Sequence, residues 1–334
     1  MTLRVSDCGR MRRAVAVVGW LAIVCLAFGA CGDGSDSSAA PARVDVAAVV
    51  QEERVIVDAT RMTRANGGFP ASDRRSLATR IWYAPERIAA PACDGERCAL
   101  VLLAHGFGGN TGRFDAIARS LASIGFIVGA PAFPLTNDET PGGHFTGLTD
   151  VIQQPADLAI VLDAMLAAGE DRADALYGRI DAARIGLVGH SLGGATAIAA
   201  TRSPCCTDER IGAAVLVAPA AYTISTFFGV PPRSEGVPVL VINGRDDPII
   251  RPVVSLEYAR SLAPPWYFLE ILDVGHSLLV ENIGAPTAQL EATTQATTAF
   301  FEEYLGGTAG ATAGALGDLI ATGQVAEFRE ANTP

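Results

Sequence analysis

Apolar residues recur along this chain in two registers. Ala99-Leu100-Val101-Leu102-Leu103-Ala104 is apolar without a break, whereas Gln154 to Ala168 carries Leu158, Val161, Leu162 and Met165 at helical spacing. An unbroken apolar run of that length fits a strand buried on both faces of a parallel sheet, and the second pattern fits an amphipathic helix. Read this way, the pattern predicts strands at 55–57, 79–83, 99–104, 126–130, 185–188, 213–217, 237–242 and 267–272. Helices are predicted at 114–124, 154–168, from Ser191 to about Thr201, at 253–262 and at 288–305. Strands alternating with helices imply an α/β fold with a mostly parallel central sheet and helices on both faces. No composition break divides the middle of the chain, so residues 51–305 read as one domain. The stretch after Ala220 is of ordinary loop length, about fifteen to twenty residues, too short for a large cap over the sheet. Residues 306–334 are rich in Gly, Ala and Thr and read as a loosely attached tail, with at most a short helix near 316–328.

The N-terminus has a different pattern. Arg10, Arg12 and Arg13 precede an apolar stretch from Ala14 to Ala30, which is the layout of an export signal over residues 1–30. The stretch is short for a membrane span, and its exit, Phe28-Gly29-Ala30-Cys31, resembles a lipoprotein cleavage site with Cys31 as the acylated residue. A plain secretory signal with an incidental Cys is the alternative, and Met11 competes with Met1 as the start. Residues 31–50 then form a polar tether. The expected location is outside the cytoplasm, secreted or held at the cell envelope by an N-terminal lipid. Cys93, Cys98, Cys205 and Cys206 fit an oxidising compartment. Cys93 and Cys98 flank a tight loop that one disulfide would close. For Cys205 and Cys206 two arrangements stay open: a bond between neighbours, or one bond to a distant Cys and a free thiol. No pair of His or Cys has convincing spacing for a metal.

Formal net charge is −11, and removing residues 1–30 makes it more negative. That argues against nucleic acid and against strong attraction to anionic lipid. A monomer acting on a small-molecule or lipid substrate is expected.

Candidate chemistry concentrates at strand ends. Gly189-His190-Ser191-Leu192-Gly193 is a G-x-S-x-G pattern between a buried strand and a helix. A sharp turn there lifts the Ser hydroxyl above the sheet edge, and small flanking residues are needed because strand and helix nearly touch. A serine hydroxyl needs a base, and the base needs an orienting acid. Of the four histidines, His105, His144, His190 and His276, only His276 follows Ser191, on the loop after the last predicted domain strand. The acid should leave the preceding strand, where Asn243-Gly244-Arg245-Asp246-Asp247-Pro248 offers Asp247 first and Asp246 as fallback. Donors for an oxyanion are expected from the backbone N–H of Leu192 and, in His105-Gly106-Phe107-Gly108-Gly109, from that of Phe107. Phe133, Phe145, Phe227 and Phe228 are candidates for an apolar cleft wall, with core packing as the competing explanation.

Over roughly residues 75–305 these motifs resemble the α/β-hydrolase superfamily. His105 to Gly109, Gly189 to Gly194, Asp247 and the stretch from Phe268 to Ser277 are similar to the branch of dienelactone hydrolases, chlorophyllases, platelet-activating-factor acetylhydrolase-like enzymes and cutinase-like polyester hydrolases. The resemblance implies cofactor-free hydrolysis of carboxylic esters through an acyl-enzyme. It departs from the branch in two places. Ser191 stands where dienelactone hydrolases carry Cys, and Leu192 and Ala220 stand where cutinase-like enzymes carry Met and Trp. A peptidase or amidase of the same fold, and a binding lipoprotein without activity, are the alternatives.

Overall fold

The computed structural model describes residues 49–331 except 87–89, 145–147, 230, 282–286 and 324. The expected signal, Cys31 as the expected site of acylation, nearly all of the expected tether, and Phe145 lie outside the described residues. Among the described residues ten strands form one sheet: β1 (Val50–Asp58), β2 (Arg75–Tyr83), β3 (Cys93–Asp94), β4 (Arg97–Ala104), β5 (Ile127–Pro131), β6 (Ile180–His190), β7 (Ile211–Val217), β8 (Val239–Gly244), β9 (Trp266–Ile271) and β10 (Val325–Ala331). Their order is β1-β2-β5-β4-β6-β7-β8-β9-β10, with β3 pairing off β4. From β5 to β9 every pairing is parallel, and β1, β2 and β10 add antiparallel edges. This is a mixed α/β sheet of the kind an α/β-hydrolase fold requires.

Burial explains the pattern. Every residue of β4 after Arg97 is buried, because helices cover both faces of a central parallel strand. Outermost β1 instead alternates exposed and half-buried positions. The helices are α1 (Asp115–Ser123), α2 (Gln154–Glu170), α3 (Leu192–Arg202), α4 (Ile224–Phe228), α5 (Pro252–Arg260), α6 (Ala288–Tyr304) and α7 (Ala311–Ala321). Between β2 and α2 sits a buried charge cluster. Arg75 is fully enclosed and donates to both Asp150 and Asp157, so its charge is offset twice. Cys93 is bonded to Cys98 across the β3–β4 hairpin, and Cys205 is bonded to its neighbour Cys206.

The C-terminal segment departs from the expectation of a loose tail. α7 packs on α6 with Leu316 and Leu319 buried, and β10 hydrogen-bonds along β9, with Phe328 stacked over Tyr267. The physical reason is the sheet edge. Without β10, β9 would present an unpaired row of backbone donors and acceptors, which folded proteins cover. The helix also lies earlier than the expected 316–328, and the second half of that stretch is strand.

Candidate active site

Loops at the carboxyl ends of the central strands gather the residues singled out by sequence. β6 runs into Ser191, and α3 begins at Leu192. Ser191 has φ 54° and ψ −116°, a left-handed backbone that non-glycine residues rarely adopt. Its amide donates to Val217 O at 3.0 Å, and its carbonyl accepts from Ala220 N at 2.9 Å, so β7 and the chain after it brace the turn. Both flanking glycines are sterically obligatory. A Cβ on Gly193 would stand 2.0 Å from Ala104 O, and one on Gly189 would stand 2.3 Å from Gly193 O. The sequence thus folds sharply here because no side chain intervenes.

His276 comes from the loop after β9. Its Nε2 lies 2.8 Å from Ser191 Oγ, and its Nδ1 lies 2.7 Å from Asp247 Oδ2. Asp247 is 97% buried or, put as exposure, 3% accessible, while Asp246 faces solvent. The backbone decides between these neighbours. The amides of Ile249 and Ile250 both donate to Asp247 Oδ1 at 2.8 Å, which fixes the carboxylate and leaves Oδ2 for the imidazole. Gly244 permits the approach of the two loops, since a Cβ there would meet Val274 O at 2.3 Å.

Two further histidines act as struts. His190 Nε2 donates to the His276 carbonyl at 3.1 Å, and the two rings lie 4.8 Å apart between centroids. His105 Nδ1 donates to the Gly106 carbonyl at 2.7 Å, and its Nε2 accepts from Phe133 N at 3.0 Å. This pattern requires a neutral imidazole. Burial pushes His105 down to about 4 and His190 down to about 3, in agreement with it.

Phe107 lies in the loop after β4. That loop is held by Gly108 N donating to Thr136 O at 2.8 Å and by Gly109 N donating to Gly106 O at 3.0 Å. Leu192 is the first residue of α3, so its N–H has no acceptor within the helix. A cleft of about 230 Å³ opens beside Ser191 and His276. Its apolar lining comes from Phe107, Phe114, Ile249 and Val280. The expected aromatic wall is therefore corrected. Phe133 is fully buried in the core against His105, because its backbone is tied to that ring. Phe227 and Phe228 lie half-buried on α4, apart from the cleft lining, and Phe228 packs toward the core. The true lining residues flank the motifs in sequence. Ile249 follows Asp247 by two positions and Val280 follows His276 by four; an apolar residue beside each motif was the available signal. Arg113 and Glu281, which also line the cleft, carried no such signal. Among the described residues, no group of three or more His, Cys, Asp or Glu side chains is arranged to hold a metal ion.

With a Ser-His-Asp hydrogen-bond line at the end of a parallel sheet, the class of protein to compare with is the serine hydrolases. The family model described as serine hydrolase matches residues 163–281, a segment that includes Ser191, Asp247 and His276. The match spans about a third of the chain, and over it the protein is similar to serine hydrolases of the α/β-hydrolase kind. No curated protein matches the chain.

Proposed function

We propose that the protein is an exported serine carboxylic-ester hydrolase working through an acyl-enzyme. The observation that carries this reading is the pair of hydrogen bonds running from Asp247 through His276 to Ser191, beside a mainly apolar cleft. His276 takes the Ser191 proton as Oγ attacks the ester carbonyl. Asp247 holds Nδ1–H and stabilises the imidazolium that forms. The N–H groups of Phe107 and Leu192 hold the oxyanion, and the positive end of the α3 dipole assists at Leu192. His276 then protonates the departing alcohol. Water, activated by the same imidazole, releases the acid and restores the Ser191 hydroxyl. No cofactor takes part. On the motifs from His105 to Gly109 and from Gly189 to Gly194, we place the enzyme in the branch of chlorophyllases, dienelactone hydrolases, platelet-activating-factor acetylhydrolase-like enzymes and cutinase-like hydrolases. Export through residues 1–30, with Cys31 as the lipid-bearing residue, is part of the proposal. The disulfides at Cys93–Cys98 and Cys205–Cys206 support an oxidising location. A monomer acting on ester substrates completes it.

The test is covalent. A fluorophosphonate should label the folded protein at Ser191, and Ser191→Ala should abolish labelling and reduce p-nitrophenyl ester turnover by about 10⁴-fold or more. A folded protein that never labels is a binding protein rather than a hydrolase. Faster cleavage of p-nitroanilides than of the matching esters would make it a peptidase or amidase.

A further inference from the structure

One ion pair in the cleft has no place in the chemistry above. Arg113 sits on the 3-10 turn Thr111–Phe114, just past the loop that carries Phe107. Its Nη1 donates to Glu281 Oε2 at 2.5 Å, its Nη2 donates to the Gly108 carbonyl at 3.3 Å, and Asp138 lies 3.5 Å away. Glu281 follows His276 by five residues, so the pair ties the loop after β4 to the loop after β9. The Glu281 side chain is 9% exposed, and separating a carboxylate that deeply buried from its partner is costly. The Arg113 side chain is 31% exposed, so the buried Glu281 carboxylate is the fixed part of this wall and holds the guanidinium against it.

We propose that Arg113 and Glu281 set the chain-length limit of the acyl group, making short-chain esters the substrate class. This rests on the ester-hydrolase reading. In an acyl-enzyme the alcohol has left and the acyl group stays attached to Ser191, so the space beside Ser191 must hold it. That space is about 230 Å³, below the roughly 300–1,000 Å³ of sites that enclose drug-sized ligands. Phe107, Phe114, Ile249 and Val280 suit a few methylenes. A longer chain meets the paired charges, where it gains no apolar contact and would strip water or a partner from them.

The experiment compares kcat/KM for p-nitrophenyl butyrate and octanoate. Butyrate is expected to exceed octanoate at least tenfold in the native enzyme. The ratio should fall at least tenfold in Arg113→Ala and in Glu281→Ala, and stay within threefold of native in Arg113→Lys, which keeps the pair. If the alanine variants do not fold, Glu281→Gln keeps the shape, removes the charge, and should lower the ratio at least threefold. Labelling rates with butyl and octyl fluorophosphonates read the same wall without ester turnover. A protein that labels but cleaves no ester defeats the ester reading alone, and the labelling ratio then decides the wall. Octanoate or octyl reagents that react as fast as the short ones, or ratios unmoved in folded variants, overturn the inference.

Discussion

The turn that carries Ser191 and the loop that carries His276 meet at 2.8 Å but are built on different principles. The serine turn is fixed by absent atoms. Gly189 and Gly193 let β6, β4 and α3 approach so closely that any side chain would overlap a backbone carbonyl. The histidine loop has one such close approach, at Gly244, and is otherwise held by polar contacts, each of which one substitution can remove. Asp247 holds Nδ1, His190 holds the His276 carbonyl, and Arg113 reaches Glu281 further along. The first region ties position to folding itself. The second ties position to a few hydrogen bonds worth about 1 kcal/mol each, more where charges take part. Changes in the two regions should therefore separate: loss of fold in one, loss of rate with the fold kept in the other.

The largest separation should come from Asp247→Asn. It alters one atom in a group held by two backbone amides, so the unfolding midpoint should move little. Turnover of a short ester should fall about 10⁴-fold, the size seen when the orienting Asp of a Ser-His-Asp protease becomes Asn. A loss under tenfold would remove Asp247 from the proposed mechanism. Gly193→Ala should do the reverse. A methyl driven to 2.0 Å from Ala104 O must displace backbone. Overpacking costs about 1–3 kcal/mol and more where backbone must move, so Tm should drop by roughly 5–10 °C. A variant of native Tm would mean that the turn is less tightly packed than these contacts imply.

The same contrast governs what could be read from sequence. Steric requirements are local and leave a local signature, so the glycines around Ser191 stood out together with the unbroken apolar strand before them. His276 was found by chain order and by want of rivals. Asp247 and Asp246 could be ranked but not separated, because the amides that select Asp247 come from Ile249 and Ile250 after a turn that only coordinates reveal. Non-local features were illegible. Arg113 and Glu281 are 168 positions apart. β10 is a strand because β9 has an edge to cover, whereas Val325 to Ala331 alone mixes apolar and charged residues, and its first part reads as the end of a short helix. Phe133 and Phe228 lie on loops or very short helices, where no periodicity tells core from cleft.

Acid should weaken the fold around the site through two buried histidines. In the unfolded chain a histidine titrates near pH 6.5. In the fold, burial pushes His105 down to about 4 and His190 down to about 3. Well above pH 6.5 both states carry neutral rings with a single N–H each, and stability does not change on their account. Between about 6.5 and the folded values, the unfolded state binds protons that the native state refuses. Stability therefore falls as pH falls, by up to about 1.4 kcal/mol per pH unit for each histidine. Asp58, held at about 2 chiefly by Thr60 and by its contact with Arg61, adds its own loss only below about pH 4. Urea unfolding between pH 7.5 and 5 should show the decline, and His105→Gln should flatten its slope. A midpoint constant over that range would contradict the buried neutral rings.

The smallest effect distinguishes a strut from a filler. His190→Ala removes the donor to the His276 carbonyl together with the ring that packs against the His276 imidazole. One hydrogen bond of about 1.4 kcal/mol corresponds to a tenfold loss in kcat, because a loop free to drift spends less time with Nε2 on Ser191 Oγ. His190→Gln supplies an amide N–H at similar reach and should recover most of that rate, although its shape matches the ring poorly. A purely packing role predicts a different order, in which an apolar residue of similar volume, as in His190→Leu, rescues better than Gln. Measuring kcat and Tm for the three variants decides the matter. If Leu restores the rate and Gln does not, polar contacts do not hold the histidine loop, and the contrast drawn between the two regions fails.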